Sequence, residues 1–198
     1  MRAVLLHVPE SMLEERRRKG HDVWDEVWEG VLHMVPPPSG LHQRFGTELV
    51  VALVPLSKAR GLVASHETGL FRPGAGQSDY RIPDLVVSRP KNATDQGVEG
   101  RAELVVELRS PGDESYEKLS FYSDLEVREA LVIDPESCQV ELFALSGGRL
   151  QAVAADASGS VTSTALAITF TPVEGPALHL SWDGGEAEVS GRIASPPG

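Results

Sequence analysis

The sequence has one cysteine, Cys138, and fewer basic than acidic residues, with 18 lysines and arginines against 29 aspartates and glutamates. A single cysteine cannot form a disulfide within the chain, which indicates a reducing compartment such as the cytoplasm. The apolar stretches are all much shorter than the roughly 20 residues that a membrane helix needs. No signal-peptide core is recognisable near the start. These absences favour a soluble cytoplasmic protein over a secreted or membrane protein.

The net charge of −11 argues against tight, sequence-independent binding of nucleic acid, because such binding normally uses a basic surface. Basic residues cluster only at positions 16–19 and at Lys58 and Arg60, where a solvated helix face is the simpler interpretation. A nuclease site that holds metal ions would offset part of the negative charge. The charge therefore makes DNA binding less expected without excluding it.

The hydrophobic pattern predicts a mixed α/β protein. Helices are predicted at about 9–19, at 41–54 with an end or a kink at Pro55, and at 114–125. Strands are predicted at about 62–66, 82–88, 103–109, 129–134 and 164–170, with two short strands within 24–35 and a hairpin at 138–145 and 149–154. Loops are predicted at 74–80 and 89–101. Residues 1–182 are expected to form one domain, and the Gly-, Ser- and Pro-containing segment 183–198 a flexible tail.

Each of two apolar strands carries a carboxylate, Asp84 in the first and Glu107 in the second. A carboxylate among buried aliphatic residues costs several kcal/mol unless something pairs with it. If the two strands are neighbours, both side chains can share one divalent cation, and oxygen ligands of this kind suit Mg²⁺ or Mn²⁺. The pair therefore suggests metal-dependent hydrolysis of a phosphodiester bond.

Two basic residues near the carboxylates could contact a phosphate. Lys118 shares one helix face with Tyr122 and Leu125, which places it near the edge of the buried stripe. Arg109 lies on the same strand face as Glu107, but an arginine cannot act as a base. The alternatives are structural: a turn role for Asp84, an ion pair for Glu107 and an exposed position for Lys118.

Two side chains of the helix 41–54 are further candidates. Glu48 falls inside the apolar stripe of this helix and is expected to point toward the sheet. His42 follows a proline-rich loop, so it could contact a metal or phosphate, or only cap the helix. The six histidines show no paired metal-ligand spacing, which argues against a zinc site.

Four stretches of the chain follow one another in a recognisable order. They are residues 80–87 (YRIPDLVV), 103–111 (ELVVELRSP), 118–122 (KLSFY) and 127–135 (VREALVIDP), preceded by 28–32 (WEGVL) and 36–42 (PPPSGLH). Together they resemble the Uma family, bacterial proteins classed as putative restriction endonucleases within the PD-(D/E)XK nuclease superfamily. The resemblance covers about residues 22–147.

This resemblance implies a restriction-endonuclease-like core, in which a mixed central sheet is flanked by helices and extended by N-terminal and C-terminal β additions. It implies Asp84 and Glu107 as ligands of Mg²⁺ or Mn²⁺, Lys118 as the catalytic lysine, and Glu48 as an auxiliary acid. The lysine that the superfamily usually has two positions after the second acid is Arg109 here. The implied activity is metal-dependent cleavage of DNA.

Two other functions remain open at this stage. A non-catalytic relative could use the same fold as a binding or interaction module, which the acidic charge would suit. The second alternative is a metal-dependent hydrolase that acts on a smaller phosphoester. Cleavage of both DNA strands usually needs two active sites, so a homodimer is expected for a restriction enzyme.

Overall fold

The computed structural model describes residues 4–5, 9–110, 112 and 114–193, and these residues form three α-helices and three β-sheets. The helices are α1 (Glu10–Lys19), α2 (Gly40–Ala59) and α3 (Lys118–Asp124). Two short 3₁₀ turns are present at Gly76–Ser78 and Pro90–Asn92. Within the described residues, each helix is too short or too polar to span a bilayer.

The strands belong to an N-terminal, a central and a C-terminal sheet. In spatial order, the N-terminal sheet contains β1 (Val4–Leu5), β3 (Val31–His33), β2 (Glu26–Trp28), β6 (Tyr80–Arg81), β5 (Leu70–Phe71), β9 (Gly97–Glu99) and β8 (Ala93–Thr94). The central sheet contains β13 (Arg149–Ala152), β12 (Val140–Ser146), β11 (Glu129–Ile133), β10 (Leu104–Leu108), β7 (Leu85–Ser88) and β4 (Val63–His66). The C-terminal sheet contains β14 (Val161–Ser163), β15 (Ile168–Val173), β16 (Ala177–Trp182) and β17 (Gly185–Val189).

The pairing of the central strands brings the two predicted acids to one place. Strands β10 and β11 are parallel, whereas β10 and β7 are antiparallel with Leu85 opposite Val106. The next position on each strand is therefore Asp84 and Glu107. The two carboxylates meet where β7 begins and β10 ends.

The alternation along β10 separates two hydrophobic layers. Leu104, Val106 and Leu108 pack in one cluster with Phe45 of α2 and with the C-terminal sheet. Val105 packs in a second cluster with Phe121 of α3. Because side chains alternate in direction along a strand, Glu107 lies on the α3 side of the sheet.

Helix α2 does not end at Pro55, so of the end or kink predicted there, the end is wrong. Proline removes the donor to the carbonyl four residues earlier, which is that of Val51. Both Pro55 and Val51 are exposed, and Val51 is 70% accessible. Water can therefore bond the free carbonyl, and the helix continues to Ala59.

Several further segments differ from the sequence predictions. Strands β5, β14 and β16 were not predicted, and the helix predicted at 114–125 begins at Lys118. The predicted loop 89–101 contains strands β8 and β9, which are too short to give a periodic pattern. Part of the predicted tail forms β17, which pairs with β16 over five residues after a turn at Gly184, where φ is +88°. Glycine adopts this conformation without strain, so the segment forms a hairpin. Residues 194–198 lie outside the described part of the chain.

Candidate active site

Asp84 is held at the start of β7 by two hydrogen bonds. Its Oδ1 atom lies 2.6 Å from Nε2 of His42, and its Oδ2 atom accepts the backbone N–H of Leu108 at 2.7 Å. Leu108 follows Glu107 directly, so the second bond fixes Asp84 beside the end of β10. The half-buried carboxylate is thereby oriented by both α2 and the neighbouring strand.

His42 lies in the first turn of α2, and its ring position follows from how that helix begins. Ser39 caps the helix by accepting the His42 N–H at 3.2 Å. The ring is buried, with Nδ1 lying 3.4 Å from Oγ of Ser110. Burial alone would lower the pKa of His42, but the hydrogen bond and charge of Asp84 outweigh burial and raise it.

Glu107 is a buried carboxylate with two side-chain donors. It is 4% exposed, and its Oε1 atom accepts the hydroxyl of Tyr122 while Oε2 accepts Nζ of Lys118 at 3.1 Å. Burial raises its pKa to about 8; Asp84 and Glu26 add to the increase, and Lys118 opposes it. The largest cause is the loss of solvent around the buried carboxylate, and the neighbouring negative charges add to it.

Lys118 begins α3 and lies between two carboxylates. Its Nζ atom is 2.8 Å from Oε1 of Glu26 and 3.1 Å from Oε2 of Glu107. Burial favours the neutral amine, but the two carboxylates outweigh it and hold the pKa of Lys118 above its usual value. The lysine is therefore a fixed positive charge.

A cavity of about 350 Å³ opens over these side chains. Asp84, Glu107, Lys118 and His42 all contribute to its lining. Apolar residues also line it, namely Trp24, Met34, Ile82, Leu108 and the prolines 36–38. The cavity thus combines charged side chains with apolar ones that can pack against an apolar or aromatic group.

Two of the predicted auxiliary residues lie outside this cavity. Glu48 is exposed on α2, where it accepts the Ser190 N–H at 2.7 Å, so the expectation that it points toward the sheet is wrong. The buried stripe of α2 follows His42, Phe45, Leu49 and Leu53, and Glu48 is rotated away from it. Arg109 is exposed beyond the end of β10, and its guanidinium lies 5.3 Å from the ring centre of Tyr116.

Two residues that contact Lys118 or Glu107 were not predicted from the sequence as part of the site. Glu26 of β2 reaches Lys118 from the N-terminal sheet, and nothing near it in the sequence shows that its strand face is buried. Tyr122 of α3 donates to Glu107, and its signal was present in the four-residue spacing from Lys118. Its burial raises its pKa well above the usual value, with Glu107 adding to the effect.

A family comparison accounts for most of the chain. Residues 13–173 match the model of the Uma2 family, which is described as "Putative restriction endonuclease". The chain belongs to the Uma2 family. The resemblance inferred from the sequence motifs is thereby confirmed.

A solved structure supports the fold of this Uma2 protein. The crystal structure of a putative nuclease of the DUF820 family, from Anabaena variabilis ATCC 29413, superimposes with a TM-score of 0.53 at 18% identity. The match covers 65% of this chain and 75% of the other. No curated protein matches the chain closely enough to count as a relative. At this identity the likeness concerns the fold alone.

The family suggests a divalent metal, and the side chains offer few ligands for one. Among the described residues, no three His, Cys, Asp or Glu side chains form a group that could hold a metal ion. Asp84 and Glu107 approach the cavity as a pair. Three further acids line the cavity. Lys118 engages Glu26 as it does Glu107, Glu67 accepts a hydrogen bond from Gln43, and Glu114 lies 3.1 Å from His33.

Proposed function

We propose that this Uma2 protein is a metal-dependent endonuclease that hydrolyses phosphodiester bonds of DNA. The observation that supports it best is the meeting of Asp84, Glu107 and Lys118 at one cavity. They come from two antiparallel strands and the following helix, and two hydrogen bonds hold each carboxylate. Two carboxylates can hold a divalent ion and a lysine can stabilise charge on a phosphate, which together suit metal-assisted phosphodiester hydrolysis.

Asp84 and Glu107 are the proposed ligands of Mg²⁺ or Mn²⁺. Mg²⁺ usually takes one or two carboxylates and completes its shell with water and phosphate, so a pair of acids suits it. Burial, with the charges of Asp84 and Glu26 adding to it, raises the pKa of Glu107, and a bound cation would favour the charged form of this carboxylate. A bound divalent ion would polarise the phosphate and lower the pKa of a coordinated water.

The protein's own side chains position these groups. Nε2 of His42 and the Leu108 N–H fix both oxygens of Asp84, while Tyr122 fixes one oxygen of Glu107. The ammonium of Lys118 can bind a phosphate oxygen and stabilise charge that develops there. Arg109 and Glu48 have no part in this proposal.

The surrounding architecture completes the proposal. Strands β4, β7, β10 and β11, with α2 on one face and α3 on the other, would form a restriction-endonuclease-like core. We propose one nuclease-like domain over residues 1–182, to which β17 adds the last strand of the C-terminal sheet. A homodimer would supply the two active sites needed to cut both DNA strands.

A specific observation supports a non-catalytic alternative. All four oxygens of Asp84 and Glu107 already accept a hydrogen bond within the protein. A binding module that kept the fold and lost turnover would retain such contacts. The two functions differ in whether metal brings about cleavage.

Plasmid cleavage with Mg²⁺, Mn²⁺ or EDTA tests the proposal, run beside Asp84→Ala and Glu107→Ala. We expect nicking or linearisation that depends on metal and is lost in both variants. The exposed Glu48→Ala variant is the matched control and should cut as the wild type does. Cleavage that survives in folded Asp84→Ala or Glu107→Ala would show that another group, or a contaminant, is responsible. Metal binding without cleavage would support the binding module.

A further inference from the structure

Glu26 is a buried carboxylate that connects three separate parts of the site. It is 2% exposed, and its Oε1 atom accepts both the Ile82 N–H at 2.7 Å and Nζ of Lys118 at 2.8 Å. Its Oε2 atom accepts Nε1 of Trp28 at 2.8 Å. These donors come from the segment before Asp84, from α3 and from Glu26's own strand.

Fold stability alone gives a weak reason for this arrangement. Taking a carboxylate and an ammonium out of water costs several kcal/mol per ion, and well-packed apolar residues often replace such pairs without loss. The three donors of Glu26 offset that cost and hold the carboxylate in one orientation. Because the buried Glu26 carboxylate costs this much and contacts Lys118, we expect it to have a role in positioning the lysine.

The geometry of the ammonium shows what that role would be. An ammonium has three N–H donors in tetrahedral directions. With Glu107 as its only partner, the ammonium could swing about this one hydrogen bond, and its other two N–H groups would have no fixed direction. Because Glu26 takes a second donor, the direction of the third is fixed, and Lys118 lines the cavity where a phosphate would lie.

We infer that Glu26 is a positioning residue that aims the third ammonium N–H of Lys118 at the phosphate in the cavity. This inference rests on the proposed nuclease function. Glu26 also lines the cavity, but the proposed role requires no contact with substrate or metal, and Glu26 acts only through Lys118.

A double-mutant cycle tests the inference. Turnover and DNA affinity are measured for the wild type, Glu26→Gln, Lys118→Met and the double variant, at saturating Mg²⁺ and with single-turnover assays for slow variants. We expect Glu26→Gln to lower kcat by about 10- to 100-fold, because a small misplacement of a group that contacts the reacting phosphate can cost this much. KM for DNA should change by less than about twofold, because the lysine's charge remains. In the Lys118→Met background, Glu26→Gln should have no further effect.

Glu103→Gln is the matched control, because Glu103 is also buried and paired, at the other end of β10. It should leave kcat unchanged. Thermal melting of each variant checks folding; if Glu26→Gln does not fold, Glu26→Asp, which keeps the charge but shortens the reach, takes its place.

Three outcomes would overturn the inference. One is a folded Glu26→Gln variant with the kcat of the wild type. Another is that Glu26→Gln lowers kcat by the same factor in the wild type and in the Lys118→Met background. If the activity of Lys118→Met is below detection, the kcat of the single variant Glu26→Gln decides. The third is a wild type that does not cleave DNA with any metal, which overturns the proposed function and this inference together. An active wild type with unchanged Glu26→Gln overturns the inference alone.

Discussion

Two buried glutamates lie on neighbouring strands of the central sheet and differ in the groups that hold them. Glu129 of β11 is 1% exposed, and Glu107 of β10 is 4% exposed. Glu129 accepts hydrogen bonds from the hydroxyls of Ser163 and Thr164 and from the backbone N–H groups of Thr164 and Ala165. These donors come from one turn, and they join the central sheet to the C-terminal sheet.

Glu107 is held by the ionisable side chains of a tyrosine and a lysine rather than by backbone N–H groups and the hydroxyls of serine and threonine. Tyr122 and Lys118 donate to it, and the acids Asp84 and Glu26 lie close enough to raise its pKa. It lines a cavity. Burial of a carboxylate therefore does not by itself distinguish the two glutamates; Glu107 differs from Glu129 in lining a cavity together with Asp84, Glu26 and Lys118.

The largest expected effect is on activity in Glu107→Gln. If Glu107 binds the metal, loss of its charge removes several kcal/mol of stabilisation and should reduce cleavage by about a thousandfold. Folding should be little affected, because Lys118 keeps Glu26 as a partner. Cleavage assays and urea denaturation of the same preparation measure both quantities. Full activity in the folded variant would contradict the role of Glu107.

Glu129→Gln should show the opposite behaviour. The glutamine amide keeps one acceptor oxygen, but its NH₂ group is a donor and would face the donors of the turn 163–165. Some buried donors of that turn are therefore left without an acceptor. We expect a loss of about 2–3 kcal/mol in the free energy of unfolding. Activity per folded molecule should stay within about twofold of the wild type, because the turn does not reach the cavity. A large loss of activity at unchanged stability would make Glu129 part of the site.

Tyr122→Phe should give a smaller effect on both properties. Removal of the hydroxyl leaves Oε1 of Glu107 without its donor. We expect about 1–2 kcal/mol of lost stability and about tenfold lower cleavage. The matched control is Tyr116→Phe, since the Tyr116 hydroxyl contacts exposed Glu141 instead. Equal activities for the two variants would show that Tyr122 does not position Glu107.

The sequence was sufficient to predict the central strands and the pair of acids. Strands β7, β10 and β11 contain almost only aliphatic residues, so Asp84 and Glu107 stand out in an apolar surrounding. Lys118 could be added because it follows on a helix with a recognisable apolar face. Local pattern was enough wherever the informative residues lay within one element.

Long-range contacts explain what could not be predicted. Glu26 contacts Lys118, which is 92 positions away in the sequence. Its strand has only three residues, too few for a periodic pattern that would reveal a buried face. Glu129 resembles Glu107 in its surrounding sequence, and only the turn 163–165 gives it a structural role. Sequence alone therefore identified acids in strands but could not sort them by function.

The smallest expected effect concerns Glu48, where sequence and structure disagree. The resemblance implied an auxiliary metal ligand, whereas the exposed carboxylate accepts the N–H of Ser190 beside the C-terminal sheet. Glu48→Ala should therefore change stability by no more than about 0.5 kcal/mol, as exposed substitutions usually do. Cleavage and its dependence on Mg²⁺ concentration should match the wild type.

The informative comparison is His42→Ala, because His42 is the α2 residue that contacts Asp84. If cleavage responds more weakly to Mg²⁺ in His42→Ala but not in Glu48→Ala, the contribution of α2 to the site comes from its first turn. A weaker response in Glu48→Ala would instead mean that α2 rotates when metal and DNA bind.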